Sequence, residues 1–149
     1  RKAGLGGALY SVWCRDSLVA TRERVEAPPN GEKFVRLAKE NLAKMGRFLS
    51  DLRTQRLTLG IYCPGRFINY QYLCRNEVPA VRYFDDNPPA HGRYLPPFDM
   101  AVEPRAALVE NPTPIILIMS RTFGRQIAEE LAREPALSRA RLIAVSDLF

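Results

Sequence analysis

From residue 57 onward, the sequence alternates short apolar runs with helical patterns, and this alternation limits the possible folds more than any other feature. Five runs are predicted strands, at residues 57–63, 80–84, 100–102, 114–120 and 141–145. Helical patterns lie between them at residues 66–75, 104–109 and 123–133. Strands that are joined by helices run parallel in one sheet, which the helices cover on both faces. The sequence therefore predicts an α/β fold with a Rossmann-like, mainly parallel sheet.

The residues before this alternation divide into two parts. Two β-prone runs, at residues 9–13 and 18–25, predict a short strand pair, and Ala-Pro-Pro-Asn-Gly at 27–31 then breaks the chain. From residue 32 to about residue 53, apolar residues recur every three or four positions and predict a long amphipathic helix: Phe34, Leu37, Ala38, Leu42, Met45, Leu49 and Leu52. We assign residues 1–30 to a strand pair and linker, and residues 31–149 to the Rossmann-like domain.

The net charge of +6 is concentrated at the start of the chain. Residues 1–60 hold 12 Lys and Arg against 6 Asp and Glu, whereas residues 61–149 hold 10 of each kind. A solvated face on the long helix explains this excess as well as a polyanion site does. Because the chain has no motif that combines aromatic with basic residues, a nucleic-acid partner is disfavoured.

The composition also bears on membranes, metals and compartment. The longest apolar run, from Ile115 to Met119, is far shorter than the ~20 residues that cross a bilayer, so we expect no membrane partner. No signal peptide is recognisable. The three cysteines form no CxxC pair and the chain has one histidine, which disfavours a metal site and indicates reduced thiols. We therefore expect a cytoplasmic protein without a metal ion.

The segment FDDNPPAHGRYLPPFDM, residues 84–100, begins at the end of the second predicted strand. In open parallel sheets, ligands bind outside the carboxyl ends of the strands. Residues 63–67 (CPGRF) follow the first strand, and residues 85–98 follow the second. We therefore predict that these two loops form one ligand crevice.

Two adjacent aspartates are candidate ligand-binding residues. Asp85 and Asp86 follow Gly65 by about twenty residues, the offset at which an acidic side chain meets a ribose hydroxyl in dinucleotide-binding folds. A carboxylate can accept the protons of both ribose hydroxyls. The alternative is that one aspartate caps the Asn-Pro-Pro turn at 87–89 through backbone N–H groups.

Four further residues are candidates for binding a substrate. Arg93 can bond two phosphate oxygens through its planar guanidinium, and Tyr94 can stack on a base or a sugar. Alternatively, Arg93 pairs with one of the two aspartates and Tyr94 covers the sheet edge. Arg66 follows Gly65 at a predicted helix start, where N–H groups and the helix dipole favour an anion, although a solvated arginine is equally consistent with its position. His91 supplies a titratable ring, but the sequence pairs it with no nucleophile or orienting acid.

Motifs of established enzymes are absent from the sequence. It has no GxSxG elbow, no Walker loop and no HExxH helix. The turn after the first predicted strand, residues 63–67, holds only one glycine, Gly65. One glycine is too few for the close approach of the backbone that a dinucleotide pyrophosphate requires. We therefore predict no catalytic residue in this chain and assign Gly65 to the substrate-binding turn.

The order of these motifs resembles the C-terminal domain of sugar C-methyltransferases. Residues 82–102, RYFDDNPPAHGRYLPPFDMAV, carry the resemblance with an acidic strand end, Asn-Pro, a basic residue and Gly-Arg-Tyr-Leu-Pro. Residues 59–65, LGIYCPG, lie where the family has a Gly-Tyr-Gly turn. Upstream, residues 5–12, LGGALYSV, are similar to the strand that closes the methyltransferase domain.

The resemblance implies a function that this chain performs together with another domain. It implies a substrate-recognition domain of a methyltransferase that depends on S-adenosylmethionine and acts on a nucleotide-linked sugar. The partner is then an N-terminal methyltransferase domain of the same chain, to whose end residues 1–30 belong. That domain holds the methyl donor, so no cofactor and no catalysis are expected in this segment alone. The alternative is a stand-alone module that binds a nucleotide sugar in polysaccharide biosynthesis.

Overall fold

The computed structural model describes residues 31–94 and 100–149 and has a five-stranded sheet at its centre. Its strands are β1 (Leu59–Tyr62), β2 (Val81–Phe84), β3 (Val102–Glu103), β4 (Ile115–Ile118) and β5 (Arg141–Ala144). They lie in the order β3-β2-β1-β4-β5, and all four neighbouring pairs are parallel. The predicted Rossmann-like parallel sheet is therefore confirmed. The predicted strand pair at 9–25 lies outside the described residues.

In residues 31–94 and 100–149, four α-helices accompany the sheet. They are α1 (Gly31–Thr54), α2 (Phe67–Leu73), α3 (Arg105–Glu110) and α4 (Gly124–Leu131), and each falls on a predicted helical pattern. From β1 the chain steps outward to β2 and β3, and it then returns to place β4 and β5 on the other side of β1. The strand order thus reverses between β1 and β4. This reversal opens a crevice at the carboxyl ends of the strands in folds of this kind.

The sheet buries apolar side chains on both faces, because successive residues of a strand point in opposite directions. One face packs against α1 and α2 through Met45, Leu49, Leu52, Leu59, Ile61, Phe67, Tyr83, Leu117 and Ile143. The other packs against α3 and α4 through Tyr62, Phe84, Leu108, Ile116, Ile118 and Leu131. This two-sided burial is the reason that the strands appear in the sequence as unbroken apolar runs.

The long helix α1 packs on the sheet through only part of its length. Met45, Leu49 and Leu52 in its second half are buried, whereas residues 32–40 are all exposed. The apolar stripe predicted along the whole helix therefore enters the core only from about its midpoint. In the described ranges, no helix is both long enough and apolar enough to cross a membrane.

Candidate functional site

The two predicted loops lie at the same end of the sheet. This is the end where the carboxyl ends of the parallel strands meet, and we call it the carboxyl edge. Because β1 and β2 are parallel neighbours, the turn after β1 and the segment after β2 both emerge at the carboxyl edge. The backbone N–H of Cys63 donates to the carbonyl oxygen of Phe84 at 2.9 Å, so the turn and the strand end are bonded directly. The N–H of Asp85 donates in turn to the carbonyl oxygen of Glu103 at 3.1 Å. The ends of β1, β2 and β3 are therefore held together at this edge.

Three side chains at this edge, Tyr62, Asp86 and Arg105, bond to one another, and we call them the carboxyl-edge triad. The Tyr62 hydroxyl donates to Oδ1 of Asp86 at 2.5 Å, and Nη2 of Arg105 donates to Oδ2 at 2.5 Å. Nε of Arg105 lies 3.0 Å from Oδ1 of Asp86 and 2.9 Å from the Tyr62 hydroxyl oxygen. Both carboxylate oxygens of Asp86 are thus engaged, and the fork of Arg105 is matched to them.

The electrostatics of the triad favour its charged form. Burial raises the pKa of Asp86, but the hydrogen bonds from Arg105 and Tyr62 and the charge of Arg105 outweigh burial and leave this pKa below its ordinary value of 3.8. Burial and the bond to Asp86 raise the pKa of Tyr62, and the bond to Asp86 raises that of Arg105. The triad therefore holds one carboxylate, one guanidinium and one neutral phenol at neutral pH.

Arg105 also connects this edge to α4. Its Nη2 lies 3.5 Å from Oε2 of Glu130, so two carboxylates, those of Asp86 and Glu130, share one guanidinium. Sequence reasoning missed Arg105 because nineteen residues separate it from Asp86. Its position at the start of a helix just after a predicted strand was the signal that could have found it.

Asp85 caps the Asn-Pro-Pro turn at 87–89, which was the alternative prediction for one of the two aspartates. Its Oδ1 accepts a hydrogen bond from the backbone N–H of Asn87 at 2.9 Å. Nε2 of His91 lies 2.8 Å from the carbonyl oxygen of Asp85, and a carbonyl only accepts, so this nitrogen carries the proton and donates. His91 therefore ties the ends of the segment 85–91 together.

Arg93 and Tyr94 present their side chains at the surface of the same segment. Gly92 has a φ of 72°, the left-handed conformation that glycine tolerates, and its N–H donates to the carbonyl oxygen of Val102 at 2.9 Å. The side chain of Arg93 is exposed and that of Tyr94 is 63% exposed. Asp86 takes Arg105 as its ion-pair partner, and within the described ranges Arg93 pairs with neither aspartate. The alternative prediction that Arg93 pairs with Asp85 or Asp86 is therefore wrong for the described residues.

The turn after β1 carries the remaining two candidates. Cys63 has a φ of 57° and is followed by a single 3₁₀ turn, Pro64–Arg66, before the seven-residue helix α2. A side chain at Gly65 would meet nothing within 4 Å, and Arg66 is exposed. Gly65 and Arg66 therefore lie at the surface in the turn after β1, and the segment 85–94 follows the neighbouring strand β2.

A half-buried thiol also lies at this edge. Burial, together with the charges of Asp85 and Asp86, raises the pKa of Cys63 from 9.0 to about 11. Because the thiolate is the reactive form, we expect little alkylation of Cys63 at neutral pH.

In a Cys14→Ser/Cys74→Ser background, the rate of iodoacetamide alkylation should rise with pH to a midpoint near 11. Adding Asp85→Asn should lower that midpoint, since a charge that opposes the thiolate is lost. Protein unfolded in urea serves as the control and should show the ordinary thiol midpoint. A native midpoint that matches the unfolded one would contradict the buried position of Cys63.

The described ranges contain no group of three or more His, Cys, Asp or Glu side chains that could hold a metal ion. Comparison of the chain with protein-family models and with curated proteins finds no match.

Proposed function

We propose that this chain binds a nucleotide-linked sugar at the carboxyl edge of its sheet and acts as the substrate-recognition domain of a sugar C-methyltransferase. One observation carries the ligand proposal. The loops that contain Arg66 and Arg93 follow two adjacent parallel strands, β1 and β2, and both present an exposed arginine at the same edge. Paired phosphates suit two guanidinium groups at a strand-end crevice.

The surrounding residues support the same ligand class. Tyr94 is exposed beside Arg93 and offers an aromatic face for a base or a sugar ring. Asp85 uses Oδ1 for the Asn87 turn, which leaves its second carboxylate oxygen for a hydroxyl group. Asp86 is bonded to Tyr62 and Arg105 through both carboxylate oxygens, so in this proposal it orders the loop beside the ligand.

The methyltransferase part of the proposal comes from the resemblance and from the chemistry of the edge. Among the described residues, we find no side chains arranged as nucleophile and base, and His91 donates its Nε2 proton to a backbone carbonyl. In this proposal the chain binds and orients the sugar while another domain supplies the methyl group. S-adenosylmethionine then belongs to the N-terminal methyltransferase domain.

Isothermal titration of the chain with nucleotide-diphosphate sugars tests the ligand proposal. Arg93→Ala should weaken binding by about 10-fold or more, because a charge-assisted hydrogen bond contributes roughly 1.5–3 kcal/mol. Arg139→Ala is the matched control. Arg139 is an exposed arginine just before β5, so it lies at the amino ends of the strands, away from the carboxyl edge. Equal affinities for these two variants would exclude Arg93 from the site.

In the full methyltransferase, Arg93→Ala should raise KM more than it lowers kcat, since Arg93 would hold the substrate without touching the transferred methyl group.

A second candidate is a stand-alone nucleotide-sugar-binding module. The chain's own helices cover both faces of the sheet, which favours independent folding. Tight binding by this chain alone would favour the module, whereas binding that requires the methyltransferase domain would favour the accessory role.

A further inference from the structure

We infer that a diphosphate group binds in the gap between the turn after β1 and the loop after β4, held by Arg66, Arg121 and Tyr70. We call this gap the switch-point crevice, and its two walls are residues 63–66 and residues 119–123. The inference rests on the proposed function for its ligand class, a nucleotide-linked sugar, and it names a second wall for the phosphate site.

The crevice forms because the chain leaves β1 and β4 towards opposite faces of the sheet. After β1 the chain enters α2, which packs on the same face as α1, and after β4 it enters α4 on the other face. The two strands are parallel neighbours, and the N–H of Met119 donates to the carbonyl oxygen of Tyr62 at 2.9 Å. The two connections therefore start side by side and then diverge, which is the geometry in which open parallel sheets hold ligands.

Each wall of the crevice carries one exposed arginine. Arg66 lies in the turn after β1, and Arg121 lies in the loop after β4. In the described part of the chain, neither forms an ion pair with an Asp or Glu side chain, whereas Arg82 and Arg105 do. Both guanidinium groups are therefore available to a ligand, and the planar fork of each can bond two oxygens of one phosphate.

The side chain of Tyr70 supplies a third donor at the crevice. Tyr70 follows Arg66 by four residues, which places the two on the same side of α2. Burial raises the pKa of the Tyr70 hydroxyl and the positive charge of Arg121 opposes this rise, so the guanidinium lies near that hydroxyl. The Tyr70 ring stacks on Phe149 with 6.0 Å between the ring centroids, which orients the phenol. A ligand between the two arginines can therefore also accept the phenol proton.

Two cations on opposite walls match a ligand with two phosphates, since each guanidinium can bind one of them. Side chains then hold the phosphates in place of backbone N–H groups, so the single glycine of the turn after β1 is sufficient. Ser120 adds a hydroxyl to the second wall. Its oxygen accepts a hydrogen bond from the N–H of Phe123 at 3.1 Å, and its proton can be donated to a phosphate oxygen.

Isothermal titration of the chain with inorganic pyrophosphate tests the crevice directly. Arg121→Ala should weaken pyrophosphate binding by about 10-fold or more, because charge-assisted hydrogen bonds are lost. Arg121→Lys should recover only part of that loss, since lysine keeps the charge but lacks the planar fork. Tyr70→Phe keeps the ring on Phe149 and removes one neutral donor, so it should weaken binding by about 2- to 10-fold.

Arg133→Ala is the matched control for Arg121→Ala. Arg133 is exposed and lies just after α4, so this variant loses the same charge at the other end of that helix. It should bind pyrophosphate as the parent protein does. Equal losses in the two variants would overturn the inference in favour of general attraction to a basic surface, and a parent protein that binds no pyrophosphate would also overturn it.

A titration with a nucleotide-diphosphate sugar separates this inference from the proposed function. Binding that depends on Arg93 but not on Arg121 would overturn the crevice and leave the proposed function standing. Pyrophosphate binding that depends on Arg121, in a chain that binds no nucleotide sugar, would support the crevice and overturn the proposed function.

Discussion

Replacement of Gly60 by alanine is expected to lower the free energy of unfolding by about 2–3 kcal/mol. Gly60 lies in the middle strand β1, and a Cβ there would lie 2.4 Å from Oγ1 of Thr113. The same Cβ would lie 3.3 Å from Cε2 of Phe84 and 3.5 Å from the carbonyl oxygen of Ile115. Urea unfolding monitored by circular dichroism measures the loss.

The crowding cannot be relieved cheaply. Thr113 is 3% exposed, and its hydroxyl donates to the carbonyl oxygen of Ile115 at 3.2 Å. A rotation that moved Oγ1 away from residue 60 would break that buried hydrogen bond. The chain must therefore either lose the bond or separate β1 from the segment before β4.

Two variants make the Gly60 prediction specific. Gly46→Ala is the control, because its Cβ would meet only Sγ of Cys74 at 3.8 Å and alanine is favoured over glycine inside a helix by about 1 kcal/mol. It should stabilise the protein. In the double variant Gly60→Ala/Thr113→Ala, the nearest clash is gone, so its destabilisation should be smaller than the sum of the two single effects. An unchanged stability of Gly60→Ala would contradict the close approach of Thr113.

Replacement of Arg105 by methionine is expected to lower the free energy of unfolding by about 1–2 kcal/mol at neutral pH. The change removes the bonds to both oxygens of Asp86 and leaves Asp86 and Glu130 near each other without a cation. The value is kept small because the side chains of Arg105 and Asp86 are 28% and 49% exposed, and water screens their interaction.

The destabilisation caused by Arg105→Met should depend on pH. The pKa of Asp86 is lowered below 3.8 in the folded state, so its contribution is present above that value and is lost as the pH falls through the folded pKa. In Arg105→Met the carboxylate is no longer held in its charged form. The difference in stability between the parent and the variant should therefore be largest at neutral pH and should shrink in acid.

Arg125→Met is the control for the triad. Arg125 pairs with Asp147 at 3.1 Å, but its side chain is 79% exposed, and an exposed pair contributes little. Its stability and its pH profile should match those of the parent protein. A pH profile of Arg105→Met that runs parallel to that of the parent would show that Asp86 is not held by this guanidinium.

The helices and strands could be predicted because each has its own local spacing of apolar residues. The runs at 57–63 and 114–120 are apolar at successive positions, as strands covered on both faces require, and the structure has β1 and β4 there. The predicted run at 114–120 is an internal strand, between β1 and β5.

The roles of the candidate residues could be predicted only in part. The sequence offers two aspartates side by side and no means of distinguishing them. In the structure, Asp85 accepts a hydrogen bond within the Asn87 turn, whereas Asp86 pairs with Arg105. Arg105 reaches Asp86 because β3 lies beside β2, which brings the start of α3 next to the end of β2.

Local periodicity by itself determined that this chain forms a parallel α/β sheet with loops after its first two strands at the same end of the sheet. Tertiary structure alone decided which arginine holds which aspartate, and that only the second half of α1 enters the core. The physical reason is that periodicity arises from the geometry of one helix or strand. An ion pair or a buried face depends instead on which distant segments the packing brings into contact.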